Sequence, residues 1–263
     1  MNYTIITQLK NQDKRVYDWM KYHYREGFDS FILFDDSSED NTIVEIQRFK
    51  NDFSDCYVSI NMTDGIGRQH SIDNCSNSNS YLFDTELSDR ILRSVNKGLE
   101  IVKEINPNSV CVVIDVDEFL LTDENDKIVN VISSIYKENN ISNDNVYQIC
   151  VFNFDVKDDY NLEKGFLTKN IFLRWDYDSM DNHPNYRCRH KSMVIAKRLE
   201  KIRFIHYLRG PDIVPTTDIH SVDFRDYRRL RMIHFRKPNQ FDADISYVED
   251  PILIKRINKN LLN

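Results

Sequence analysis

Between positions 110 and 121 the chain runs through five apolar residues, Val110-Cys111-Val112-Val113-Ile114, breaks into Asp115-Val116-Asp117-Glu118, and returns to Phe119-Leu120-Leu121. An unbroken apolar run rich in β-branched residues is the mark of a strand covered on both faces, so the fold must contain a buried sheet. Side chains alternate along a strand, which predicts Asp115 and Asp117 on one face, roughly 6–7 Å apart. One divalent cation with a phosphate or ribose fits that spacing. Three carboxylates at the end of a buried strand are costly unless a metal or a cationic partner compensates them. The bland alternative is a strand running out into solvated loop acids.

With 263 residues the chain can bury a large core, and 41% hydrophobic and 12% aromatic content argue against disorder. One domain over 1–263 is expected, with a nucleotide-binding half over 1–125 and an acceptor-binding half over 126–263. No apolar stretch is long enough to span a membrane, and no basic start followed by an apolar core marks a signal peptide. Cys56, Cys75, Cys111, Cys150 and Cys188 are odd in number and widely spaced, which predicts free thiols in a reducing, cytoplasmic setting. None forms a CxxC pair, so a zinc-thiolate site has little support. Residues 187–237 carry 14 Lys+Arg against 5 Asp+Glu, a local +9 in a chain of net −7 that leaves −16 elsewhere. An acidic first part and a basic last part suit a metal and an anionic ligand held between them. Overall acidity argues against nonspecific nucleic-acid binding.

Along the chain, 3–9 suits a strand. Asp13 is a candidate cap for a helix whose Val16, Trp19, Met20, His23 and Tyr24 recur at helical spacing. Gly27 supplies its stop, and a second strand over 28–34 ends in Asp35-Asp36. Ser37, Ser38 and Asp40 offer caps for a helix over 42–50, and a third strand covers 57–61. Residues 62–80 read as a mobile loop. A helix over 85–105 turns Leu87, Ile91, Val95, Leu99 and Val102 inward and leaves Arg90, Arg93 and Lys97 outward. A helix over 127–137 follows the acidic segment, and then strands over 146–152, 165–173, 190–196, 201–205 and 230–235. Alternating strands and helices predict an α/β fold with a mostly parallel, doubly wound sheet and a strand-richer C-terminal region. Ligands in such folds sit beyond the carboxyl ends of strands, where Asp35, Asp36, Asp115 and Asp117 all fall.

Taken together these motifs resemble glycosyltransferases of the GT-A type, family 2-like and family 92-like. The likeness covers most of the first 120 residues and, more loosely, 187–241. Its first element is Leu9-Lys10-Asn11, then Tyr17-Asp18-Trp19 with His23 and Gly27-Phe28-Asp29, with Gln12 and Asp18 standing where the family has Glu. Its second is Asp35-Asp36-Ser37-Ser38-Glu39-Asp40-Asn41-Thr42, similar to the family's Asp-Asp-x-Ser-x-Asp-x-Thr. The resemblance implies that Asp36 accepts a hydrogen bond from the nucleotide base. An ordinary helix cap accounts for the same letters.

Asp115-Val116-Asp117 is similar to the family's DxD, whose chemistry neutralises a nucleoside diphosphate leaving group through Mn²⁺ or Mg²⁺. By that likeness Asp117 is the direct metal ligand, Asp115 meets ribose or a metal-bound water, and Glu118 orients the site or the acceptor. His190-Lys191-Ser192, His206 and Ile233-His234-Phe235-Arg236 resemble a later pattern that closes the metal site with a histidine, so His206 and His234 are both candidates. Lys10, Arg90 and Lys191 are candidates for the nucleotide-sugar, and Arg189 and Arg236 are further options for the diphosphate. Residues 153–159 depart from the family. An inverting transferase needs a base for the acceptor hydroxyl, for which Asp155, Asp176 and Asp178 are candidates. The resemblance implies transfer from a nucleotide-sugar, a UDP-sugar for preference, to a hydroxyl of a glycan or similar acceptor with inversion.

Two rival readings stand beside it. A haloacid-dehalogenase-type phosphatase also places DxD after an apolar strand and uses its first Asp, here Asp115, as nucleophile. A non-catalytic nucleotide- or glycan-binding relative keeps the fold without turnover.

Overall fold

The computed structural model describes residues 2–66, 85–138, 146–157, 173–175, 190–199, 201–202, 219–223, 229–235 and 247–261. The first half alternates strand and helix: β1 Tyr3–Leu9, α1 Val16–Arg25, β2 Ser30–Asp35, α2 Thr42–Asp52, β3 Tyr57–Met62, α3 Thr85–Ile105 and β4 Val110–Val113. Then come β5 Glu118–Leu121, α4 Ile128–Glu138, β6 Val146–Lys157, β7 Leu173–Trp175, β8 His190–Ile195, β9 Ile219–Asp223, β10 Arg231–Phe235, β11 Tyr247–Glu249 and α5 Pro251–Leu261.

The sheet is parallel at its centre, in the order β3-β2-β1-β4, which is a Rossmann-like half. Beyond β4 it turns mixed: β8 joins antiparallel, and β6 follows antiparallel to β8. The long β6 changes neighbours along its length. It pairs with β9 through Cys150 and with β10 from Asn153, and β10 in turn pairs antiparallel with β5.

Both faces of the central strands are covered, and the pleat sorts their side chains. Tyr3, Ile5, Leu9, Phe31, Leu33, Val110 and Val112 pack with Val16, Trp19, Met20, Ile46 and Phe49 of α1 and α2. Ile6, Ile32, Phe34, Cys111 and Val113 pack on the opposite face with Val95, Leu99 and Val102 of α3. Gly98 lets α3 come that close, since a Cβ there would stand 2.6 Å from Ile6 Cγ2. Cys56 and Cys111 are buried free thiols, and burial pushes both up to about 12.

Helix ends depart from expectation at the starts of α1 and α2; at α2 the N-cap is Asn41, without a side-chain cap bond, and Asp40 Oδ1 accepts the Thr42 N–H at 2.9 Å. Gly27, at φ 103°, follows α1 in a Schellman arrangement, with Phe28 N–H donating to His23 O at 3.0 Å and Gly27 N–H to Tyr24 O at 2.9 Å. Asp13, by contrast, does not cap α1. Arg15 is the N-cap and makes no side-chain cap bond, while Gln12 O receives the N–H groups of Arg15 and Val16. No helix among the described residues is long and apolar enough to cross a membrane.

The C-terminal helix α5, absent from the sequence expectations, is fastened to α1 by buried charge. Arg256 Nη1 donates to both carboxylate oxygens of Glu26 at 2.8 Å, and the other Glu26 contacts cap α4 through Ile128 N–H and hold Asn260. His23 lies fully buried in the aromatic cluster of Trp19, Tyr22, Phe28 and Phe119. Its Nδ1–H donates to Trp19 O at 2.9 Å, and Nε2 accepts the Leu120 N–H at 3.5 Å, so a second proton would face another N–H.

Burial holds the folded His23 imidazole down to about 3, against 6.5 ordinarily. The unfolded chain therefore takes up a proton that the folded chain refuses, and stability falls as pH drops from 6.5 toward 3. Urea unfolding is expected to show a loss on the order of 2 kcal/mol from this group between pH 7 and pH 5. His23→Gln should lack that part of the pH dependence.

Candidate functional site

The acidic segment leaves β4 in a turn. The strand ends at Val113, and Glu118 N–H donates to Asp115 O at 3.0 Å, closing an i to i+3 turn before β5 begins. Glu118 is fully buried, and its Oε2 accepts the Asp115 N–H at 2.8 Å, so one residue ties both ends of the turn. Strand alternation therefore does not set the relation of Asp115 to Asp117, contrary to the sequence expectation. The chain turns because β5 departs to pair with β10 instead of continuing beside β1.

Neighbouring elements hold this turn from outside. Phe235 N–H of β10 donates to Asp117 O at 2.8 Å, and Val116 is buried. From α1, the Trp19 indole N–H donates to Glu118 O and the Tyr22 hydroxyl to Leu120 O, both at 2.8 Å. Arg15, at the start of the same helix, brings Nη1 to 3.7 Å from Asp117 Oδ2.

A cavity of about 290 Å³ opens against the turn, lined by Gln8, Leu9, Lys10, Gln12, Ile91, Asp115, Val116 and Asp117. It lies beyond the carboxyl ends of β1 and β4. Those two strands are where the winding reverses, since β2 and β3 extend to one side of β1 and β4 lies on the other. That crevice is the general ligand position of an open α/β sheet. Its lining combines two carboxylates with the Lys10 ammonium, and Gln8 is fixed by the Ser94 hydroxyl of α3, which donates to its Oε1 at 2.9 Å.

The Asp35–Thr42 motif braces the loop after β1, whose Lys10 and Gln12 line this cavity. Asp35 Oδ2 accepts the Ser38 N–H at 3.0 Å, and Oδ1 accepts the Ser38 hydroxyl at 2.5 Å, bracing a turn in which Ser37 has φ 59°. Ser38, Thr42 and Asp40 in turn accept the consecutive backbone N–H groups of Asn11, Gln12 and Asp13 at 2.9, 2.6 and 3.1 Å. Asn11, at φ 52°, returns a bond through Oδ1 to Glu39 N–H. The two loops that follow β1 and β2 thus hold each other, and Lys10 is presented from a braced backbone.

Asp36 is engaged within the protein. Its Oδ2 accepts Arg90 Nε and Nη2 at 3.2 and 2.9 Å, and its Oδ1 accepts the Thr63 hydroxyl at 2.7 Å. Arg90, expected to face outward, is 2% exposed, because the buried Asp36 carboxylate needs a counter-charge. Arg93 does reach the exposed surface, pairing with Asp64 at 2.5 Å.

Of the other candidates, His234 and Asp155 are placed by backbone register. His234 stands opposite Glu118 on β5 and opposite Asp155 on β6, so the three occupy one row across three strands. Lys191 lies in β8, which runs antiparallel to β4, so its start falls toward the Asp115 end of that strand. His206, Asp176 and Asp178 lie outside the described residues, as do Arg189 and Arg236. Neither Arg15 nor Gln8 is singled out by the sequence, which gives Ile91 only as an inward helix position. The Arg15–Asp117 contact joins residues about a hundred positions apart, which no local pattern signals, whereas Gln8 is legible as a polar position at the end of an apolar strand.

Among the described residues no group of three His, Cys, Asp or Glu side chains forms a metal cage. The donor set of the cleft is instead the two carboxylates of one tight turn beside a cation, and oxygen donors of that kind suit a hard divalent cation.

No protein-family model matches the chain, and no curated protein matches it in sequence. Among solved structures it is similar to the mannosyltransferase PcManGT from Pyrobaculum calidifontis in complex with GDP-Man and Mn²⁺. That likeness has 12% identity and a TM-score of 0.37 over 62% of this chain and 37% of that one, so this chain spans well under half the length of that structure. It is also similar to HddC from Yersinia pseudotuberculosis, at 12% identity and a TM-score of 0.37 over 99% of this chain and 98% of that one. Likeness of this extent assigns no activity.

The buried Arg90–Asp36 pair has a measurable consequence. Arg90→Ala is expected to destabilise by about 3 kcal/mol, because it leaves Asp36 buried and uncompensated. Adding Asp36→Asn should recover part of the loss, giving a coupling of about 1–3 kcal/mol in a double-mutant cycle of chemical unfolding. Additive effects would mean the pair is not buried as described.

Proposed function

We propose that the chain is a metal-dependent glycosyltransferase of GT-A type, moving a sugar from a nucleotide-sugar to a hydroxyl of a glycan or similar acceptor. The observation that carries this reading is the cleft at the β1/β4 reversal, where Lys10, Asp115 and Asp117 line one cavity with Arg15 at its edge. A nucleoside diphosphate needs a cationic wall and a carboxylate pair to share a divalent ion, and few other small ligands need both. Residues 1–125 bind the donor in this proposal, and the acceptor meets the part from 126 to 263.

Lys10 binds the diphosphate, with Lys191 as a second cation from β8. Asp117 would hold the metal, with Asp115 meeting ribose or a metal-bound water, and His234 is favoured over His206 as the closing imidazole because its register puts it opposite Glu118. We assign Asp35, Asp36 and Arg90 to holding the loops, since the two carboxylates already take hydrogen bonds from Ser38, Thr63 and Arg90. When bound, Mn²⁺ or Mg²⁺ supplies the charge that neutralises the departing diphosphate. The acceptor hydroxyl loses its proton to a carboxylate base, its oxygen bonds the anomeric carbon, and the bond from that carbon to the phosphate oxygen breaks with its electron pair on the diphosphate. Of the three sequence-named bases, Asp155 is favoured over Asp176 and Asp178 by its place in the row with His234 and Glu118.

Calorimetric titration of UDP and GDP with and without Mn²⁺ tests the donor site. Metal-dependent binding of one nucleotide to the wild type, lost by at least about tenfold in Asp117→Asn with folding retained, is the expected outcome. Binding of neither nucleotide under any metal condition would overturn it. A phosphorylated Asp115 formed from a phosphate ester would favour the phosphatase reading, and nucleotide binding without transfer to any acceptor the non-catalytic one.

A further inference from the structure

An arginine is paired with the acidic turn that lines the cleft. Arg15 Nη1 stands 3.7 Å from Asp117 Oδ2, the guanidinium side chain 11% exposed and the carboxylate 28%. That separation is longer than the 2.7–2.9 Å of a charge-assisted hydrogen bond, so the contact is a loose ion pair that a stronger cation can exchange. The backbone of Arg15 is fixed, with its N–H on Gln12 O at 3.0 Å and its carbonyl taking Trp19 N–H at 2.9 Å. Displacement from Asp117 therefore moves the side chain and not the helix. The cavity edge it would swing along already presents Lys10 and Gln12.

Resting on the donor-site reading, we infer that Arg15 occupies Asp117 before the metal does and, once displaced, turns to the diphosphate of the nucleotide. A divalent cation on Asp117 and a guanidinium against the same carboxylate repel each other, so both cannot keep that place. Metal binding thereby frees a planar, bidentate phosphate donor at the moment the nucleotide needs one. Metal and nucleotide then reinforce each other, and by linkage each raises the affinity of the other by the same factor. Without metal, the pair neutralises Asp117 and withholds Arg15 from phosphate.

The primary measurement is a Mn²⁺ titration without nucleotide, read by the electron paramagnetic resonance signal of free Mn²⁺. Removing the competitor in Arg15→Gln is expected to tighten Mn²⁺ roughly two- to fivefold, the factor that a partly exposed ion pair is worth. Arg15→Lys, which keeps the charge, should stay nearer the wild type. The gain should vanish in Arg15→Gln combined with Asp117→Asn. In titrations of UDP and GDP, the factor by which Mn²⁺ tightens the bound nucleotide should fall in Arg15→Gln. Equal or weaker Mn²⁺ binding by a folded Arg15→Gln would overturn the inference while leaving the donor site standing. A gain that persists without Asp117 would overturn it as well, and absence of Mn²⁺ binding in every variant would overturn both the inference and the metal role on which it rests.

Discussion

A buried carboxylate that bonds its own turn is the constraint on which the site depends. Glu118 accepts the Asp115 N–H while donating its own N–H to Asp115 O, so the acidic turn is closed at both ends by one residue. A carboxylate removed from water is costly unless hydrogen-bonded, and that cost makes any other path of the turn unfavourable. The same residue is the first of β5, and its carbonyl takes the indole N–H of Trp19. The position of Asp117 thus follows from the packing of α1 on β5 and from the β10 amide that reaches Asp117 O.

Helix α1 therefore does more than cover the sheet. Its inward face sends Trp19 and Tyr22 to the carbonyls of Glu118 and Leu120, and the side chain of its N-cap, Arg15, approaches Asp117. At its far end, Glu26 binds Arg256 and Asn260 of α5 and caps α4. One helix ties the cleft, the second sheet region and the C-terminal helix together. The loops after β1 and β2 complete the arrangement by exchanging hydrogen bonds, so the Lys10 and Gln12 edge of the cavity is backbone that has few alternatives.

The first half of this architecture is legible in the letters because its signals are local. β1, β3 and α3 follow from alternation and helical spacing to within a residue, and Gly27 marks the end of α1 by the conformation it alone tolerates readily. Asp115 and Asp117 stand out through the abrupt loss of hydrophobicity, yet their geometry does not, because the turn depends on Glu118 and on a β10 strand more than a hundred residues later. Arg90 is misread as outward for the same reason: its partner Asp36 comes from another element. The short strands β9 and β11 carry too few residues to show a period. Helix α5 was readable, since Pro251 opens it and Asp250 Oδ1 accepts the Leu253 N–H at 3.1 Å, an N-cap with proline at the first helical position.

The most direct measurement is a crystal structure of the protein grown with Mn²⁺ and UDP, or GDP if that is the nucleotide that binds, with anomalous scattering used to locate the metal. A donor site at the β1/β4 reversal predicts a manganese peak at coordinating distance from Asp117, with the diphosphate between it and Lys10 and the Asp115–Glu118 turn unchanged. Nucleotide bound elsewhere on the molecule, or manganese away from both carboxylates of the turn, would contradict it.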